Sequence, residues 1–101
     1  MTRETALQAL LIRRQLIDAV DVRLLALLNE RASIVEQIGN IKQQANLPIY
    51  EPRREELVFN NVLSNNAGPL GDGAVKRIFE RIIDEMRKVQ SDRMTSNKEA
   101  K

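Results

Sequence analysis

A chain of 101 residues, 43% apolar and 30% charged, has the size and make-up of one soluble helical or globular domain, and with 3% aromatic residues its core must be aliphatic. It has no Cys and no His, which removes disulfides, thiol nucleophiles, imidazole bases and nearly every zinc site, and leaves carboxylates, cations, amides and hydroxyls for any chemistry. The net charge of +2 comes from interspersed acids and bases without a long block of one sign, so no nucleic-acid partner is expected.

The N-terminal apolar residues Leu7, Leu10, Leu11 and Ile12 follow Glu4 and are cut short by Arg13 and Arg14. No small-residue cleavage site follows, and no segment has the length of a membrane span, so no membrane is expected and the default location is the cytoplasm. From Glu4 to about Ala45 there is neither Pro nor a turn cluster, and Leu, Ala, Gln, Glu, Arg and Lys dominate, which predicts one long helix interrupted only by Gly39. Such a helix of about 40 residues would be about 60 Å long. That length exceeds the usual globular range and calls for a partner.

Asn46 to Pro52 reads as a break, because Pro48 and Pro52 disfavour helix at the residues before them. Pro52 suits the first position of a second helix, predicted from Pro52 to about Asn65. Asn65, Asn66, Gly68, Pro69, Gly71, Asp72 and Gly73 mark a loop. A third helix is predicted from about Ala74 to Arg93, with Val75, Ile78, Phe79, Ile82, Ile83, Met86 and Val89 at helical spacing. The expected organisation is a single domain over residues 1–101, all-α, with three helices per chain and a frayed tail over residues 93–101.

The first helix also carries charges where packing is expected. A seam with coiled-coil spacing reads Leu10, Arg14, Ile17, Asp21, Leu24, Leu28, Arg31, Val35, Ile38 and Lys42. A cation on a packing face is unfavourable unless it is paired. Pairing with acids or snorkelling to solvent accounts for any one of them. One acid on the seam does not balance three bases, and the surplus points to a pocket for an anion, one with two carboxylates. Arg31 and Lys42 lie about three turns apart, roughly 16 Å along the axis, and point the same way. On the third helix Gln90 continues the apolar stripe of Ile82 and Met86. It is either a residue at the solvent edge or an amide donor aimed into the same pocket. Glu51, Arg54 and Glu55 lie within about one turn of each other at the start of the second helix. Either the acids simply complement the helix dipole, or the group forms a polar wall that recognises a hydroxyl.

These residues resemble the all-α class of chorismate mutases over roughly residues 7–90. Val20-Asp21 and then Leu24-Leu25-Ala26-Leu27-Leu28-Asn29-Glu30-Arg31 are similar to the most recognisable stretch of that family. Val35, Ile38, Gly39 and Lys42 follow, then Pro48, Glu51, Arg54 and Glu55 at the family's spacing, and late in the chain Ile82-Ile83 and Gln90. The resemblance implies an intertwined homodimeric helical bundle in which the long first helices of two protomers pack together and two equivalent sites each use both chains. Arg14 would reach across from the partner to a substrate carboxylate, and Arg31 would bind a carboxylate within its own chain. Lys42 would hold a carboxylate and the ether oxygen, and Gln90 would donate to that same oxygen. Glu51 and Glu55 would contact the ring hydroxyl, and Arg54 would help hold the carboxylate end. Many relatives have Asp where this chain has Glu51. Some place a small hydroxyl residue where Met86 stands, so Met86 would line the substrate without that polar contact.

The implied reaction, chorismate to prephenate, is a pericyclic rearrangement that needs no proton transfer, covalent intermediate, metal or cofactor, which suits a chain without His and Cys. An isochorismate-pyruvate lyase on the same fold and a non-enzymatic helical dimer are the alternatives. Glu51 and Glu55 tilt the reading toward the mutase. The chain ends soon after Gln90, so no fused enzyme is expected here, and association with another shikimate-pathway enzyme stays open.

Overall fold

The computed structural model describes the backbone of residues 1–99 and the side chains of residues 1–95. Its elements are α1 (Arg3–Gln44), α2 (Pro52–Ser64) and α3 (Asp72–Glu99), and no strand occurs among the described residues. The expected all-α, three-helix chain is what forms. The internal contacts divide the chain into two units, residues 1–33 and residues 34–101.

In the first unit α1 starts at Thr2, whose hydroxyl accepts the Thr5 N–H at 3.1 Å while its carbonyl accepts the Ala6 N–H at 3.0 Å. These bonds satisfy the first orphan donors of the helix. None of residues 1–33 is buried. Large apolar side chains such as Leu10, Ile17 and Leu24 are about half exposed.

The second unit holds the last turns of α1, all of α2 and the described part of α3. Here α1 buries Val35, Gly39 and Lys42, a stripe spaced by four and three residues that faces one way on a helix. The helix ends in a tight closure: Leu47 N–H donates to the Lys42 carbonyl at 2.7 Å and Asn46 N–H to the Gln43 carbonyl at 3.3 Å. This is a Schellman pairing, with Asn46 in the left-handed region at φ 56°. Asn tolerates that conformation better than other residues with a side chain, Gly apart.

Pro52 opens α2, where its missing N–H and fixed φ suit the first turn. Between α2 and α3 the Asn66 side chain ties the loop together, accepting from Gly68 N–H and donating to the Leu70 carbonyl and Asp72. Helix α3 begins at Asp72, two residues before the expected Ala74, because the Gly71 carbonyl already accepts the Val75 N–H at 3.1 Å. It also runs past Arg93 to Glu99, since no Pro or Gly interrupts residues 94–99. Of the tail expected over residues 93–101, residues 100 and 101 lie outside the described residues. Val75, Ile83 and Met86 of α3 are buried with Val35 of α1 and form the apolar core of this unit.

Candidate active site

Lys42 carries the chemistry of the second unit. It is 6% exposed, and a buried ammonium needs partners on all sides. Its Nζ donates to the Ile49 carbonyl at 3.0 Å and to Gln90 Oε1 at 3.1 Å, and it pairs with Glu51 at 2.5 Å. All three partners are positioned by features already described. The closure at Asn46 turns the chain back, so that Ile49 and Glu51 return past the end of α1. Glu51 occupies the residue before α2 and makes no capping bond to that helix, so its carboxylate serves Lys42 instead. Gln90 is brought in by the approach of α3 to Gly39. A Cβ on Gly39 would lie 3.5 Å from Gln90 Cα and 3.6 Å from its carbonyl oxygen.

Gln90 is itself buried. Because Lys42 takes its amide oxygen, the two N–H donors on Nε2 are left for another acceptor. The arrangement therefore places an amide with free N–H donors beside a buried cation whose own N–H groups are taken by Ile49, Gln90 and Glu51. Charge developing on a ligand atom that accepts from the Gln90 amide would be stabilised by that donor and by the nearby ammonium without solvent rearrangement.

A second ionic contact lies one turn away. Glu55, whose N–H donates to the Glu51 carbonyl at 3.0 Å, faces Arg87 of α3. Arg87 Nε lies 3.2 Å from Glu55 Oε2, and Arg87 Nη2 donates to Glu55 Oε1 at 3.3 Å. Arg87 Nη2 also donates to Asp84 at 2.9 Å, and the guanidinium stands 5.5 Å over the Tyr50 ring.

A family model described as chorismate mutase type II matches residues 13–91. The chain belongs to the chorismate mutase type II family. It is 42% identical over 74 residues to the bifunctional chorismate mutase/prephenate dehydratase of Aquifex aeolicus, a match covering 69% of this chain and 20% of the relative. The enzyme of the same name from Neisseria gonorrhoeae is 37% identical over 82 residues, covering 81% of this chain and 22% of the relative. The chain thus spans about a fifth of the length of these relatives. Among solved structures, chorismate mutase (form II) from Thermus thermophilus aligns with a TM-score of 0.78 at 31% identity, covering 85% of this chain and 94% of that one.

The match to the chorismate mutase family runs from just before Arg14 to just beyond Gln90, and so contains every site residue expected from sequence. Of those residues, the structure brings Lys42, Glu51 and Gln90 into direct contact, with Met86 buried one turn before Gln90. Glu55 is held by Arg87 rather than by Lys42. Arg54 is exposed. Arg14 and Arg31 belong to the first unit, where Arg14 is exposed and Arg31 is partly buried. Sequence reasoning missed the Ile49 carbonyl, Tyr50 and Arg87. For Arg87 a signal existed, since it stands three residues before Gln90 and therefore on the same face of α3.

Proposed function

We propose that this chain converts chorismate to prephenate, and that it does so as a homodimer with two active sites shared between chains. The observation that carries the reading is the buried Lys42 ammonium with the Gln90 amide on it, in a chain with no residue suited to covalent or imidazole chemistry. One C–O bond breaks while one C–C bond forms, and negative charge grows on the ether oxygen. The free N–H donors of Gln90 meet that charge, and Lys42 turns an N–H to it by releasing Glu51, contacts that strengthen as the bond lengthens and so raise the rate itself. Arg31, and Arg14 from the partner chain, hold the two carboxylates with Arg54 and keep the flexible dianion in the compact chair that reacts. Glu51 and Glu55 take the ring hydroxyl, and Met86 gives an apolar wall beside it.

The homodimer reading is supported by surface. The chain exposes 8143 Å², whereas a folded monomer of 11.5 kDa exposes about 5,800 Å². Large apolar side chains of α1, including Leu10, Ile17 and Leu24 of the predicted seam, are about half exposed. Two copies packed seam to seam cover those residues and make a single domain of the kind expected over residues 1–101. Among the described residues no helix is long and apolar enough to cross a membrane, which is consistent with a cytoplasmic enzyme. The bifunctional names of the two relatives support an association with another enzyme of the same pathway. The mutase names of the relatives favour this reading over the lyase and over a non-enzymatic dimer.

The test is the loss of chorismate absorbance with purified protein, with the product identified by chromatography. Prephenate is the expected product. Pyruvate release from isochorismate without chorismate turnover would replace the mutase with the lyase, and inertness toward both would leave a helical dimer.

A further inference from the structure

Two ionic rungs connect the start of α2 to α3. Glu51 and Glu55 stand four residues apart on one side, and Gln90 and Arg87 three residues apart on the other, so each pair repeats once per turn. The rung at Glu51 reaches α3 through Lys42 of α1, which pairs with Glu51 and donates to Gln90. The rung at Glu55 meets Arg87 through both carboxylate oxygens, at 3.2 and 3.3 Å. A guanidinium that addresses both oxygens of a carboxylate fixes its plane as well as its position. Here the hold is by hydrogen bond at Nη2 and by charge at Nε, whose buried N–H points off the line to its nearest acceptor.

Arg87 is in turn fixed from two further sides. Asp84 accepts from Nη2 at 2.9 Å, one turn earlier on the same helix. The Tyr50 ring underlies the guanidinium at 5.5 Å, within the range of a favourable cation–ring contact. A merely solvated arginine has no such set of constraints, and an exposed ion pair alone would add little. Glu55 is 21% exposed and Arg87 38% exposed, so the pair is shielded without being sealed.

We propose that Arg87 is a positioning residue for substrate recognition: it orients the Glu55 carboxylate as the acceptor for the ring hydroxyl, and so favours substrates that carry that hydroxyl. The inference rests on the mutase reading above. Arg87 acts on the substrate through Glu55, with Tyr50 and Asp84 keeping the guanidinium in place. The contact is made alike in the ground state and the transition state, so its loss appears in KM more than in kcat.

The experiment measures kcat and KM for the wild type, Arg87→Met, Arg87→Lys, Glu55→Gln and the Arg87→Met/Glu55→Gln double variant. Each is assayed with chorismate and with a chorismate analogue lacking the ring hydroxyl. Far-UV circular dichroism and thermal melting confirm that each variant folds. Arg87→Met is expected to raise KM for chorismate about tenfold, the scale of a charge-assisted hydrogen bond set out of line, with kcat little changed. The same variant should lose little on the analogue and add little in the Glu55→Gln background. Arg87→Lys should recover part of the loss, because it keeps the charge but not the fork.

An unchanged KM for chorismate in Arg87→Met overturns the proposal, and so does an equal loss on both substrates. If Arg87→Met does not fold, the comparison of Arg87→Lys on the two substrates decides in the same way. A wild-type chain that turns over neither substrate removes the mutase reading itself, and this inference with it. That outcome is distinct from an active wild type with an indifferent Arg87.

Discussion

Residues 1–33 and the described residues 34–99 are both largely helical, yet they use helix for opposite ends. In the first region no residue is buried, and Leu10, Ile17 and Leu24 lie about half exposed. In the second, the last turns of α1 bury Val35, Gly39 and Lys42 against partners from the same chain, and a cation sits in the interior with three acceptors on it. Helix propensity alone holds an isolated helix only marginally. The two regions therefore draw their stability from different sources. The second region is held by its own core, and the first depends on whatever covers its apolar face. In the proposed homodimer a second copy covers it.

The largest expected effect comes from attacking the first region. Ile17→Glu combined with Leu24→Glu should abolish the dimer. Each large aliphatic side chain is worth about 1.5–3 kcal/mol when buried, so the pair weakens self-association by roughly 10²–10⁴-fold per chain. Sedimentation measures the association, and circular dichroism should show helix lost together with it. A double variant that stays dimeric would mean that the interface lies on another face.

The next effect attacks the second region. Lys42→Ala should lower kcat about 10²–10³-fold, the scale seen when a donor to a developing oxyanion is removed, while the dimer persists. Unfolding instead would give Lys42 a structural role only. Mixing it one-to-one with Arg14→Ala joins the two regions in one assay. A mixed dimer rebuilds one complete site, so roughly a quarter of wild-type activity should return if sites are shared. No recovery in confirmed mixed dimers would place each site within one chain.

The same contrast explains what could be read from sequence. The helices were legible because propensity and periodicity are local, and each predicted element formed with its ends moved by a few residues. Lys42 and Gln90 were legible because polar groups on an apolar stripe stand out. The partners of Lys42 were only half legible. Glu51 carries a side chain that can be suspected, but the Ile49 carbonyl is main chain and leaves no trace in residue type. Arg87 was missed for a different reason. A charged residue late in a helix reads as solvated surface, and its place on the Gln90 face does not reveal the partners Glu55 and Tyr50, which arrive from other parts of the chain. The covering of the first region was inferred from helix length, which is a property of the whole element rather than of any one residue.

A smaller effect is expected where the chain leaves α1. Asn46 holds the left-handed position on which the return of Ile49 and Glu51 depends. Asn46→Val should destabilise the fold by about 1–2 kcal/mol, because a β-branched residue is strained there. Asn46→Gly should change it by less, since Gly adopts that conformation without strain. Urea denaturation separates the two. Equal stability of Val and Gly variants would show that the closure is not held at this residue.

Gly39→Ala is expected to change least, and it tests how finely the second region is packed. Gly39 costs its helix about 1 kcal/mol relative to Ala, yet a methyl placed there would meet Gln90 at ordinary contact distances of 3.5–3.7 Å. Gly39→Ala should therefore fit without moving α3, raise stability by up to about 1 kcal/mol and leave kcat and KM near wild type. Gly39→Leu at the same position must push α3 aside, destabilise by about 1–3 kcal/mol as overpacking does and draw Gln90 off Lys42. If thermal melting and chorismate kinetics find the Ala variant as damaging as the Leu variant, the approach of α1 to α3 has no slack at all, and the Lys42–Gln90 contact is set more tightly than these distances imply.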